Sequence, residues 1–570
     1  MHYIKTQVPA SNHPDNKVLQ DGALVSHNFF KSDVLLQHFL NREVSDKGKA
    51  YMKEKWDRIG VLAAVQMDKL SLQADKNPPE LTKRDWYGNT IDEISFHPAY
   101  WELMGYAVDA EMFRVKWEPS LREKFAAETH KMGFGSYFLY TMGEGGIPCP
   151  LCMTDGVARI IDRYADEATK QRLLPRIYTD NPDNLATGAM FLTEKAGGSD
   201  VGANLVKATK VEGDQYILNG EKWFCSNANA EIILALARTD ERVKGTGGLS
   251  IFLVERTLKD GTKNPIEVIR LKDKLGVRSM ASAECVMTNT VGTLLGEEGQ
   301  GFKIMAEMVN LSRVYNAVAS TSMFRRALIE AYQFMSYRQT FGKNVMEHAL
   351  VRKKLEEVTA HYISDFYLTW HAINMLDKAD SGDKKAGELI RFLTPMIKKR
   401  TAQSCVYYIR ECMEMMGGMG YIEDGVMPKI MRDAMVLPIW EGAGNIMALD
   451  MMRAALKSEG LSVMLHQISE VFDNNQYQEG LRALNKLVSQ LKEVQSISSE
   501  EQECAYYALF EHLTDLYIIS LLYSYSDDES FEWVSPTLDF WKRKTLQTDV
   551  ISYRPKSKES LEKMIGWEIQ

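Results

Sequence analysis

The 570-residue chain is 45% hydrophobic and 25% charged, which is ordinary for a globular protein, excludes wholesale disorder and predicts three or four domains. Its 68 basic and 77 acidic residues leave a net charge of -9, opposite to the basic excess of a general nucleic-acid or membrane-surface binder. No apolar run approaches a membrane helix, Met1-His2-Tyr3-Ile4-Lys5-Thr6 has no signal-peptide core, and seven cysteines form no paired framework, so we expect free thiols in a reducing compartment, the cytoplasm.

Residues 1–187 read mostly as helix. Apolar positions recur at helical spacing in Val34-Leu35-Leu36-Gln37-His38-Phe39-Leu40 and around Ile59, Val61, Leu62 and Val65. Asn77-Pro78-Pro79 breaks the chain, Tyr87-Gly88-Asn89 marks a turn, and helix returns from about Pro98 to Glu111 and from Leu121 to Met132. Cys149-Pro150-Leu151-Cys152 lacks two further zinc ligands and a thioredoxin-like setting; it reads as two buried small side chains, and no metal site is expected. Residues 188–301 form a small all-β unit, with strands at Tyr216–Phe224 (interrupted by a hairpin-type Asn219-Gly220), Ile232–Ala237, Leu249–Val254 and Ile266–Ile269. Residues 302–456 read as a helical bundle with stretches at 303–337, 349–376, 385–415 and 444–456. Residues 457–570 are a further helical segment whose 11 basic and 19 acidic residues give a net of -8. The fold class is mainly α with a central all-β domain, and this order of elements does not fit a doubly wound sheet.

Four segments could carry chemistry. Phe191-Leu192-Thr193-Glu194-Lys195-Ala196-Gly197-Gly198-Ser199-Asp200 lies at the switch from helix to sheet. It is either a polar glycine turn or a place where backbone amides and the Thr193 and Ser199 hydroxyls approach an oxygen-rich ligand. Arg338-Gln339-Thr340-Phe341-Gly342-Lys343 joins a guanidinium to an aromatic, which suits phosphate or pyrophosphate; the alternative is a charged helix end. Glu414-Met415-Met416-Gly417-Gly418-Met419-Gly420-Tyr421 puts three glycines after a helix, as a C-cap loop or as room for a nucleotide or another chain. Ile439-Trp440-Glu441-Gly442-Ala443-Gly444-Asn445-Ile446 sets a carboxylate beside an aromatic. Water-poor surroundings would raise its proton affinity toward that of a base, whereas an exposed turn would leave it ordinary.

Taken together, Leu192-Thr193-Glu194-x-x-Gly197-Gly198-Ser199-Asp200 and Glu414-x-x-Gly417-Gly418-x-Gly420-Tyr421-x-x-Asp424, with Lys429, Asp433 and the Arg-x-Thr-Phe-Gly-Lys string, resemble the acyl-CoA dehydrogenases over about residues 45–456. Asn77-Pro78-Pro79-Glu80-Leu81, Phe96-His97-Pro98-Ala99 and Trp440-Glu441-Gly442 through Met447 resemble the AidB-type branch. The resemblance implies an acyl-CoA dehydrogenase-like architecture: an N-terminal helical domain (1–187), a β domain (188–301), a four-helix bundle (302–456) and an extra helical domain (457–570). It also implies an FAD enzyme that removes an α-proton and a β-hydride from an acyl-CoA thioester. Glu441 matches the base; Ser312 occupies the place, before Arg313, where some branches carry it. Ser199, Arg313 and Glu441 match substrate contacts. Met190, Leu192, Thr193, Gly198, Ser199, Phe224, Cys225 and Ser226 match flavin positions, with Phe224 in place of Trp and Ser226 in place of Thr. Arg338, Thr340, Phe341, Gly417 and Gly418 match residues that reach a neighbouring subunit's FAD, and Trp440, Gly442, Gly444 and Asn445 lie around the base, where Ala443 replaces a frequent Thr. A homo-oligomer, usually a dimer of dimers, and an electron-transferring flavoprotein as acceptor follow by resemblance. Two other readings are an oxygen-using oxidase and the DNA-protection role associated with AidB-type proteins. The net of -8 over residues 457–570 opposes DNA binding and leaves Lys542-Arg543-Lys544 as a local basic cluster.

Overall fold

The computed structural model describes residues 26–546 and 556–568, and the chain divides into two compact units. Of the described residues, one holds 67–124 and 144–315; the other holds 26–66, 125–143, 316–546 and 556–568.

The first unit is built on seven strands: β3 (Gly188–Phe191), β4 (Lys207–Glu212), β5 (Gln215–Ser226), β6 (Ile232–Arg238), β7 (Leu249–Glu255), β8 (Ile266–Leu271) and β9 (Ser282–Leu295). Their order is β3-β6-β4-β5-β9-β7, with β8 on β9, and β6 also pairs β7, so the sheet curls back on itself. Strand alternation turns Tyr216, Leu218 and Cys225 of β5 and Ala283, Cys285 and Met287 of β9 into one core with Ile233, Phe252 and Val268. The expected hairpin turn at Asn219-Gly220 is absent. β5 runs straight through it, Gly220 sits in a bulge at φ 140° against Val206, and the turn lies at Gly213-Asp214. Asn219 instead accepts a hydrogen bond from the Asn289 amide, so the dipeptide serves the ladder.

The largely helical reading of residues 1–187 omits a β-hairpin, β1 (Glu80–Arg84) and β2 (Thr90–Ser95), around the Tyr87-Gly88-Asn89 turn. Leu81, Ile94 and Phe96 pack against the sheet core, and Lys83 donates to the Val268 carbonyl. The helix expected from Leu121 to Met132 is two helices, Pro119–Lys124 and Thr129–Gly143, broken where the chain passes from one unit to the other. Cys149 and Cys152 are both buried on the Pro148–Tyr164 helix.

Nine later helices carry labels here: α1 (Gly301–Tyr337), α2 (Ala349–Asp380), α3 (Lys384–Met416), α4 (Gly444–Lys457), α5 (Gly460–Asn474), α6 (Gln478–Glu493), α7 (Ser499–Ser524), α8 (Phe531–Leu546) and α9 (Lys558–Ile565). Helix α1 belongs to the first unit up to Tyr315 and to the second from Asn316. In the second unit α2 and α3 pack together, and α7 and α8 pack on α2. The core is strongly aromatic: Phe39, Phe138, Phe366 and Trp370 meet edge-to-face or tilted, and Tyr367 stacks on Tyr525 of the C-terminal segment. Buried polar groups of α2 find partners on the late helices, with Trp541 donating to Ser364 and Trp533 to the Tyr367 hydroxyl. A buried ion pair ties Asp33 and the end of α9 to the bundle. Arg325 of α1 forks onto Asp33 at 2.9 and 3.1 Å and donates to the carbonyls of Ile565 and Gly566.

Candidate active site

In the β unit, the loop after β3 is fixed from beneath. Glu194 accepts from the amides of Leu205 and Val206 and from Lys222 Nζ at 2.6 Å, with both side chains buried. Burial pulls the Lys222 ammonium below the usual lysine range, opposed by the Glu194 carboxylate. The Leu192 carbonyl accepts from Asn204, and Glu194 and Gly197 exchange backbone hydrogen bonds around Lys195-Ala196. A Cβ on Gly197 would collide with the Asp200 carbonyl, so the turn requires glycine there. Above this base, Leu192 and Thr193 are half-buried and Gly198 and Ser199 are exposed. Met190 is half-buried at the end of β3.

On β5, Phe224 is 55% exposed and Ser226 is half-buried, its hydroxyl 3.5 Å from that of Ser282. Cys225 lies between them with its thiol in the sheet core beside Cys285, where burial raises its pKa, so a cofactor contact there would be made by its backbone. Trp223 donates its amide to the Thr193 carbonyl, and Lys272 Nζ sits 3.5 Å from its ring centre. Ser312 and Arg313 lie buried on the first part of α1; among the described residues the Ser312 hydroxyl has no hydrogen-bond partner, and Arg313 donates to Asn310.

In the helical unit, Arg338 and Phe341 are exposed on a short hairpin after α1, Phe341 at 97% and in the left-handed region. Asn344 holds this hairpin by donating to the Ser336 and Arg338 carbonyls, and Thr340 bonds His348. Gly417 caps α3 at φ 62°; it and Gly418 are exposed, and among the described residues an added Cβ on either would meet no atom within 4 Å. Downstream, Lys429 and Asp433 form a buried pair at 2.6 Å.

The Glu441 segment is the most constrained. The chain reaches it through a turn in which the Asn316 amide holds the Leu437 carbonyl at 3.0 Å. Trp440 and Glu441 are half-buried. Glu441 at φ 57° and Gly442 at φ 97° are consecutive left-handed residues, and Lys398 Nζ of α3 donates to the Gly442 carbonyl at 2.6 Å. Gly444 starts α4 against Gln403, Asn445 follows exposed, and the N-cap residue Ala443 provides no side-chain cap, so the first-turn amides of α4 present their N–H groups and dipole without one. Arg391 and Asp450 clamp α3 to α4 at 2.6 Å. Sequence reasoning passed over Lys398, Lys222 and Asn316. Lys398 stands in a run, Lys398-Lys399-Arg400, that reads as a solvated charged face, whereas Lys222 could have been found as a charge on an inward position of β5.

Three family models cover the chain in turn: the adaptive response protein AidB N-terminal domain over residues 20–184, the acyl-CoA dehydrogenase middle domain over 189–290 and the acyl-CoA dehydrogenase C-terminal domain over 299–456. The putative acyl-CoA dehydrogenase AidB of Escherichia coli is 31% identical over 479 residues, 82% of this chain and 85% of that protein. The chain belongs to the AidB branch of the acyl-CoA dehydrogenase family. Another relative of this AidB-type chain, acyl-CoA dehydrogenase family member 11 of Caenorhabditis elegans, is 27% identical over 492 residues, 84% of this chain and 79% of that protein. The crystal structure of the C. elegans ACDH-11 protein in complex with C11-CoA superposes with a TM-score of 0.85 at 25% identity, covering 93% of this chain and 92% of that one. The family is one of FAD-binding enzymes. The residues present fit that cofactor: α4 offers an N-terminus without a side-chain cap, and the backbone at Gly198, Gly417 and Gly418 is open to close approach. Among the described residues no helix is long and apolar enough to cross a membrane.

Proposed function

We propose that this AidB-type chain is an FAD-dependent dehydrogenase that introduces an α,β double bond into an acyl-CoA thioester. The observation that carries the reading is the Glu441 turn, a half-buried carboxylate in a left-handed conformation beside Trp440 and ahead of α4. A non-glycine residue there costs of order 1–3 kcal/mol and persists only where its surroundings fix it, a pattern that concentrates at functional sites. FAD, when bound, supplies the hydride acceptor. Met190, Leu192, Thr193, Gly198, Ser199, Phe224 and Ser226 would hold it on the β unit, and Arg338, Phe341, Gly417 and Gly418 would serve the cofactor of a second copy in a homo-oligomer. Glu441 takes the α-proton at its carboxylate, and its own amide N–H donates to the thioester oxygen, where negative charge develops. Ser312 has no group able to accept that proton at neutral pH, and Arg313 and Ser199 contact the substrate. An electron-transferring flavoprotein is the proposed oxidant of the reduced enzyme and the cytoplasm the proposed compartment.

The test is anaerobic bleaching of the flavin by a panel of acyl-CoAs, in wild type and Glu441→Gln. The variant retains FAD and acyl-CoA binding while reduction slows by at least about 10²-fold, the low end of what a positioned base contributes. Equal rates in the two proteins sink the assignment, and rapid reoxidation by air would move the reading to an oxidase. The basic cluster does not favour a DNA role. Lys542 sits over the rings of Tyr477 and Tyr523, Arg543 pairs with Glu356 at 2.9 Å, and Lys544 bonds His361.

A further inference from the structure

We propose that His361 and Lys544 form a pH-sensitive latch between α2 and α8, closed when Lys544 is a neutral amine and loosened when it gains a proton. Glu441 and the cofactor play no part in it.

His361 of α2 is 4% exposed. Its ring lies between Tyr408 of α3 and Trp541 of α8, 4.5 and 4.9 Å from their ring centres. Each ring nitrogen meets a nitrogen of another helix. A guanidinium nitrogen of Arg400 on α3 lies 3.0 Å from Nδ1, and Lys544 Nζ lies 3.0 Å from Nε2. Burial, reinforced by the Arg400 and Lys544 charges, holds His361 well below the ordinary histidine range, so the ring is neutral near pH 7. A neutral imidazole has one N–H and one lone pair.

Arg400 fixes where that proton sits. A guanidinium keeps its charge and has no acceptor. The Asp365 and Asp515 carboxylates stand 3.2 and 3.6 Å from it. Nδ1 therefore accepts from Arg400, the ring proton lies on Nε2, and that N–H is aimed at Lys544. Only an unprotonated amine accepts it. With an ammonium at Lys544, two cations compete for one lone pair, and either the bond to α3 or the bond to α8 is lost. Both bonds are present here, which is the closed state.

The surroundings pull Lys544 in both directions. Desolvation, the largest influence, and the Arg400 charge favour the neutral amine; Asp515 of α7, Glu357 and Asp365 of α2, and the Trp541 ring 4.4 Å away favour the ammonium. The balance draws Lys544 below its ordinary value of 10.5. Lys544 is nevertheless exposed among the described residues, so protons reach it from solvent. Burial raises the Asp365 and Asp515 carboxyls and the Tyr408 hydroxyl, which bonds Glu357. When α8 opens, Lys544 takes up a proton that it refuses when docked. Docking therefore strengthens as pH rises toward 10.5 and levels off above it.

The experiment measures tryptic cleavage of the full chain after Lys542 and Arg543 on α8 from pH 7 to 10. Each rate is divided by that of a peptide of matching sequence. Cleavage reads the population of the open form when reclosing outpaces the protease. We expect wild-type cleavage to fall at least about threefold across this range, and about tenfold for each unit by which Lys544 is lowered. Lys544→Gln has nothing to titrate and should give a flat profile. Lys544→Arg stays charged and should be cleaved at pH 10 as fast as wild type at pH 7. A flat wild-type profile overturns the proposal. So does a slope that survives in Lys544→Gln, which belongs to the neighbouring groups, or a Lys544→Arg protein as protected as wild type at pH 10. Should the variants fold poorly, ¹⁵N-histidine NMR of wild type decides: the His361 proton on Nε2 at the alkaline end supports the latch, and a ring protonated on Nδ1 throughout overturns it.

Discussion

Replacing Arg325 by Met should release the C-terminal helix α9 long before it unfolds the bundle. The guanidinium is fully buried, as is the Asp33 carboxylate it forks onto, and two further N–H groups reach the Ile565 and Gly566 carbonyls at 2.7 and 2.8 Å. The cation also lies over the Trp567 ring at 5.1 Å and the Tyr362 ring at 4.8 Å. Methionine fills similar volume but leaves the Asp33 carboxylate without its counter-charge and two carbonyls without donors. Removing one partner of a buried pair costs about 3–5 kcal/mol. Asp33 also caps the Val34–Glu43 helix through the Leu36 amide, so part of that cost falls on the N-terminal side. At about 1.4 kcal/mol per factor of ten, local opening of α9 should become about 10²–10³ times more populated. Tryptic cleavage after Lys558 and Lys563 reads that opening when reclosing outpaces cleavage. Arg325→Lys should recover part of the protection, since it keeps the charge but loses the fork. Cleavage in Arg325→Met within about threefold of wild type would refute the reasoning, as would a uniform rise at lysines throughout the chain.

Glu194→Gln leaves the buried Lys222 ammonium without its carboxylate and loosens the loop that carries Thr193, Gly198 and Ser199; FAD affinity should drop at least about tenfold, about 1.4 kcal/mol, and an unchanged flavin titration would count against that. His371 is half-buried against the Tyr517 hydroxyl with its pKa lowered to about 4 by desolvation, so the unfolded chain takes up a proton near pH 6.5 that the folded one refuses. Stability is unaffected above pH 6.5 and falls as pH drops from there toward 4, by at most about 3 kcal/mol; His371→Gln should flatten that part of the urea-midpoint profile. Duplex DNA binding should be weak with a shallow salt slope, since Lys542, Arg543 and Lys544 are engaged internally, and a titration with a steep slope would overturn this.

Helices with a continuous apolar stripe were legible in the sequence, because periodicity is a property of the chain itself. The stretch read as 385–415 is Lys384–Met416, and 444–456 is Gly444–Lys457. Strands were legible where both faces are buried, as in Ile232–Arg238 and Leu249–Glu255. β1 and β2 were not, since their outer positions are exposed and their apolar residues few; what holds them is contact with the sheet core and with β8. Asn219-Gly220 was misread because a dipeptide that suits a tight turn also suits a bulge, and only the partner strand decides between them. At the candidate site, the glycine-rich segments and Glu441 stood out as motifs. The groups beneath them, Lys222 and Lys398, did not, because a buried lysine and a solvated one are the same letter until a carboxylate or carbonyl from elsewhere in the fold is set against it.

The Arg325 clamp also bears on how this chain is made. Gly566 lies 241 residues beyond the arginine it binds. At roughly 5–20 residues per second of synthesis, the arginine spends about 12–48 seconds in a growing polypeptide before its last ligands exist. Asp33 has been waiting longer still, and the α2 side chains that need Trp533 and Trp541 wait alongside it. Through that interval the bundle holds an ionised pair and an aromatic face that water still reaches. A nascent chain of this kind has a long window in which a chaperone, or a second ribosome's product, can cover the surface first.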